Sequence, residues 1–70
     1  MSKATAMTYS QILKSERKKR RLTVEKMAEL LDVSYTSIIT WENGKRYPDA
    51  VRRKVIKDTL GIDLPERSRA

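Results

Sequence analysis

The chain contains no cysteine and no histidine. Without cysteine, neither a disulfide nor a Cys-based zinc site can supplement its core. Without histidine, the commonest metal ligand and general base is missing. The nine acids are dispersed, with no spacing suited to metal ligation or general acid/base work. Catalytic residues, metal ligands and cofactors are therefore expected to be absent, and a small basic nuclease is disfavoured. No apolar run approaches the roughly 20 residues that span a bilayer. The opening Met1-Ser2-Lys3-Ala4-Thr5-Ala6 is polar and small, with no signal-peptide core behind it. These absences lead us to expect a cytoplasmic protein with neither a membrane partner nor a small-molecule substrate.

What the chain has is positive charge. Lys plus Arg number 16 against 9 Asp plus Glu, a formal net charge of +7. That excess favours a polyanionic partner: nucleic acid first, then an anionic membrane or an acidic protein. Seventy residues make one domain, with a core near the lower limit for independent folding.

The stretch Leu22 to Asp49 organises the chain. It reads as two short helices around a turn at Leu31-Asp32-Val33. Met27, Ala28 and Leu31 share one helical face, as do Ile38 and Trp41 after the turn. Thr23 and Ser34 stand where a hydroxyl can accept from free backbone N–H groups. Helices this short are unstable alone and must bury their apolar faces against each other and a third element.

The flanks supply that element. Residues 1–7 have no periodicity and read as a flexible tail. Thr8 and Gln11 fit a capping box for a first helix of about Tyr9 to Arg20. Tyr9, Ile12, Leu13 and the stem of Arg17 line its inner face. The run Arg17-Lys18-Lys19-Arg20-Arg21 suits a solvated helix end, where cations favour the dipole, or phosphate contact. The second helix is expected over about Val24 to Leu31, with Asp32 at a left-handed C-cap. The third runs over about Tyr35 to Asn43 and stops at Gly44. A fourth, about Ala50 to Leu60, carries Val51, Val55, Ile56 and Leu60 as its stripe and ends at Gly61. Ile62 and Leu64 are expected to tuck back onto the core, and 65–70 to form a flexible tail. The domain is thus placed at 8–64.

Leu22-Thr23, Met27-Ala28, Leu31-Asp32-Val33-Ser34, Ile38 and Trp41-Glu42-Asn43-Gly44-Lys45-Arg46-Tyr47-Pro48 form a specific combination at this spacing. The span resembles the phage repressor/Cro-type helix-turn-helix domains of bacteria and their viruses, the Xre group. That resemblance covers about residues 8–62. It implies an all-α fold, a compact four- to five-helix bundle containing a helix-turn-helix and lambda-repressor-like in form. It also implies binding to double-stranded DNA with the third helix in the major groove.

Several residue roles follow from the resemblance together with helical geometry. Ser34, Tyr35, Thr36, Ser37 and Thr40 would face base edges. Tyr35 could instead be a surface aromatic covering Met27. Asn43, Lys45 and Arg46 would touch phosphates past the third helix, with Lys18 and Arg21 as further phosphate candidates. Asn43 could also serve purely as a C-cap. Arg17 and Glu42 would form a partly buried ion pair, making Arg17 scaffold rather than reader. Trp41 and Ile38 would be core. Two positions depart from the family pattern. Val24 stands where Gln is frequent, leaving that site to the helix N-terminal N–H groups. Ile39 is apolar where exposure is expected; it would touch a thymine methyl, meet a partner subunit, or be a stray surface aliphatic.

The implied function is a sequence-specific transcriptional regulator, expected to be a repressor, acting as a homodimer on a palindromic operator. The loop Gly44–Pro48 and segment Leu60–Leu64 are the candidate self-contact. The alternative is an antitoxin-like or coactivator-like helical module that binds protein through Ile39 and the apolar C-terminal residues. The chain could also be the DNA-binding part of a longer protein.

Overall fold

A computed structural model describes residues 7–65 of the chain. Four helices follow in order: α1 (Tyr9–Lys19), α2 (Val24–Leu31), α3 (Tyr35–Glu42) and α4 (Ala50–Leu60). No strand occurs among the described residues. The two expected tails lie outside those residues, except for exposed Met7 and for Pro65.

Each helix begins on a side chain able to cap it. Thr8 Oγ1 accepts from the Gln11 N–H while the Thr8 N–H donates to Gln11 Oε1 at 2.9 Å, completing the expected capping box. Thr23 and Ser34 accept from Lys26 and Ser37 N–H. Asp49 caps α4 by accepting from the Arg52 N–H at 2.9 Å. Asp49 was not singled out as a cap from sequence.

The helix ends are equally regular. Asp32 is left-handed at φ 57°, its N–H on the Glu29 carbonyl and the Val33 N–H on the Ala28 carbonyl. Those two bonds are a Schellman motif. Gly44 repeats it after α3, with bonds to the Trp41 carbonyl from Gly44 and to the Thr40 carbonyl from Lys45. Arg21 repeats it after α1, at φ 59°. A β-carbon in that conformation costs of order 1 kcal/mol, which is why sequence alone gave no sign of it. Two boundaries shift accordingly. Arg20 and Asn43 are caps in right-handed geometry rather than last helical residues.

Leu13, Met27, Ala28, Leu31, Ile38, Trp41, Ile56 and Leu60 form the core. Leu22, Val24, Val33, Val55, Ile62 and Leu64 pack around it, so the C-terminal segment does fold back as expected. One expectation fails: Val51 is 63% exposed and plays no part in the α4 stripe. Ile56 and Leu60 carry the helix's buried face, and Val51 lies more than a turn before them. Burial of each large core side chain contributes about 1.5–3 kcal/mol. That energy, not propensity, holds eight-residue helices such as α2 and α3. Helix α3 packs on both α1 and α2, while α4 packs on α2.

Candidate nucleic-acid interface

Packing on two neighbours fixes one side of α3. Ile38 and Trp41 are buried there. Glu42 joins them as one half of an ion pair. Arg17 Nε donates to Glu42 Oε2 at 2.8 Å and Nη2 to Oε1 at 3.0 Å. Arg17 Nη1 donates to the Leu22 carbonyl at 3.0 Å. The bidentate grip ties the end of α1 to the end of α3, as the resemblance implied. Hydrogen bonding to the Glu42 carboxylate holds the Arg17 guanidinium above its ordinary arginine range, with burial opposing the shift.

The other side of α3 is open. Tyr35 is 52% exposed, and Thr36 and Asn43 are exposed. Met27, the residue that the alternative reading has Tyr35 cover, is fully enclosed. Ser34 is exposed, but its hydroxyl is the cap of α3 and lies 3.0 Å from Ser37 Oγ. Ser37, Ile39 and Thr40 are half-buried. Thr40 Oγ1 lies 3.0 Å from both the Thr36 and Ser37 carbonyls and donates back onto the helix. Asn43 does cap α3 with its backbone, and its side chain has no bonded partner among the described residues.

Beyond α3, the loop to α4 is pinned from three directions. Tyr9 Oη donates to the Arg46 carbonyl at 2.9 Å. The Tyr9 ring meets Tyr47 edge-on, with centroids 4.9 Å apart. Arg53 lies over the Tyr47 ring at 4.9 Å and donates to the Pro48 carbonyl at 2.7 Å. Tyr47 Oη in turn donates to the Pro65 carbonyl at 2.8 Å, so the folded part reaches Pro65. Exposed Lys45 and Arg46 therefore project from a fixed backbone. The sequence reading saw Tyr9 only as core and missed this anchorage. Its partner is 37 residues away, and no local pattern carries that information.

Charge pairing divides the surface. Lys19 and Arg20 pair with Glu16, Lys26 with Glu29, Lys54 with Asp58 and Lys57 with Asp63. Among the described residues, Lys14, Lys18, Arg21, Lys45, Arg46, Arg52 and Arg53 form no ion pair, and of these Arg53 is engaged by the Tyr47 ring and the Pro48 carbonyl. Ser10, Lys14 and Lys18 share a face of α1 at four-residue steps. The Ser10 end of that face abuts the loop: a carbon added to Gly44 would lie 3.7 Å from Ser10 Oγ. The loop thus lies at the start of that face, with Lys14 one turn and Lys18 two turns further along α1. Lys14 shares that face with Lys18, and neither Lys14 nor Arg52 was singled out from sequence. Ion pairing depends on tertiary placement, so a list of basic residues could not separate them. Among the described residues, no group of three or more Asp or Glu could hold a metal. No described helix is long and apolar enough to cross a membrane.

Comparison with known proteins agrees with this geometry. The model of a family described as "Helix-turn-helix domain" matches residues 11–67. The chain belongs to that family, and to its Xre/Cro type. It is also similar to a protein named an HTH-type transcriptional activator, BcrR of Enterococcus faecalis. The two are 37% identical over 60 residues, covering 86% of this chain and 29% of that relative. The chain thus spans less than a third of the relative's length. No solved structure gives a significant match.

Proposed function

We propose that the chain binds double-stranded DNA in a sequence-dependent way and regulates transcription by doing so. In this reading α3 enters the major groove. Ser34, Tyr35, Thr36, Ser37 and Thr40 face base edges, and Asn43, Lys45, Arg46, Lys18 and Arg21 face phosphates. One observation carries the proposal: the open side of α3 runs directly into exposed Lys45 and Arg46, cations that no carboxylate among the described residues neutralises. A helix packed on one side alone, and flanked by unpaired positive charge, matches the shape and sign of a DNA groove.

Repression by occupancy needs only the bound domain, and is the mode we assign. Activation, as in the relative's name, needs a further contact with the transcription machinery. A single module this small offers a modest interface, so we assign a homodimer on a palindromic operator. The alternative, a protein-binding module, relied on Ile39 and the apolar C-terminal residues. Ile62 and Leu64 pack against the core and Ile39 is half-buried, so little of that surface is free.

Selection of bound duplexes from a random pool tests the proposal. A two-fold symmetric consensus is expected. Four phosphate-facing cations predict that log K falls with log salt at a slope of about −3.6 per protomer. Recovery of arbitrary duplexes with no enrichment would refute sequence-dependent binding.

A further inference from the structure

Thr36 and Thr40 stand one turn apart on the side of α3 away from Ile38, yet their hydroxyls are in different states. Thr36 Oγ1 has no partner among the described residues. Thr40 Oγ1 sits 3.0 Å from the Thr36 carbonyl and 3.0 Å from the Ser37 carbonyl. A threonine hydroxyl carries one proton. At Thr40 that proton is shared between two backbone acceptors, so it is not available to a ligand. The tetrahedral Cβ then holds the γ-methyl away from those carbonyls. What Thr40 can offer outward is a methyl group and a hydroxyl lone pair.

Each base pair answers such a side chain differently. The major-groove edge of guanine presents two acceptors, N7 and O6, and needs a donor that Thr40 does not have. Thymine presents its 5-methyl, and the adenine paired with it presents the N6 amino group as a donor. A T·A pair therefore matches both groups that Thr40 retains. We propose that Thr40 specifies thymine in the half-site through its γ-methyl and not through its hydroxyl. The proposal rests on the placement of α3 in the major groove. Thr36, with its proton uncommitted, is the complementary reader and can donate to purine N7 or thymine O4.

The test uses the whole chain and the duplex enriched from the random pool. Each thymidine is replaced in turn by deoxyuridine, which removes only the 5-methyl and leaves the protein untouched. One position in each half-site is expected to lose about fourfold in affinity, the effect of exposing one buried methyl. Thr40→Val keeps a methyl and removes the hydroxyl; it is expected to bind within about twofold and to keep the consensus. Thr40→Ser keeps the hydroxyl and removes the methyl. It is expected to lose about fourfold and to become indifferent to deoxyuridine at that position. Circular dichroism confirms that both variants fold. If no thymine is methyl-sensitive, or if Thr40→Ser remains sensitive at the same position, the inference is wrong. The same holds if Thr40→Val loses the consensus while remaining folded. Those results leave the proposed function standing. Absence of any enriched duplex removes both.

Discussion

Along α3 and its C-cap, Ile38 and Trp41 are buried and Glu42 is ion-paired, whereas Tyr35, Thr36 and the cap Asn43 are exposed. Eight helical residues thus serve two purposes on two sides. On the inner side, hydrophobic burial and one bidentate ion pair fix the helix against α1 and α2. The outer side contributes little to stability, which leaves it free to differ chemically without unfolding the domain. The contrast predicts that inner-side changes act on stability first, and outer-side changes on recognition first.

The largest effect is expected at Ile38. Ile38→Ala should cost about 2–5 kcal/mol, seen as a lowered midpoint in urea. That is a large share of what a domain this small possesses. Glu42→Ala follows at about 3 kcal/mol, because Arg17 is left partly buried with only the Leu22 carbonyl as partner. The Arg17 guanidinium is held above its ordinary range, so its stabilising share is present below the unfolded-state value. It fades only as pH rises beyond the arginine range. Unfolding of the native chain should therefore show no Arg17-linked change between pH 6 and about pH 10.

On the outer side, Thr36→Ala should change stability by less than about 0.5 kcal/mol. It should instead relax base preference at one position by about 1 kcal/mol in a competition titration. Equal loss on every duplex would remove Thr36 from the readers. Lys45→Ala should weaken all sequences alike and lower the salt slope by about 1. The smallest effect is also the most diagnostic. Arg21 sits in a left-handed conformation that suits glycine. Arg21→Gly should raise stability by up to about 1 kcal/mol while lowering DNA affinity. A fall in both would assign Arg21 a structural role instead.

Much of the inner side was legible in the sequence. Helix caps at Thr8, Thr23 and Ser34, the left-handed Asp32 and the stop at Gly44 follow local rules that act over three or four residues. Arg17 and Glu42 are 25 residues apart, and only the family resemblance joined them. The failures share a cause. Val51 fits the helical period but lies outside the packed stretch, and period alone does not locate the neighbour. Arg21 takes a conformation its side chain disfavours because the Schellman bonds and the burial of Leu22 outweigh the penalty. The hydroxyl of Thr40 and the pinning of Arg46 by Tyr9 are settled by rotamers and tertiary contact. On the outer side, residue types were readable but their hydrogen-bonding states were not.

The absence of cysteine offers a direct test of where α3 docks. In Thr36→Cys the new thiol is unique, and it can form a disulfide with a thiol tethered to one base of the enriched duplex. A tether on adenine N6 or cytosine N4 lies in the major groove, and one on guanine N2 lies in the minor groove. The account predicts efficient cross-linking to the major-groove tether at one position per half-site. Cross-linking to the minor-groove tether alone, or equally at every position, would contradict it.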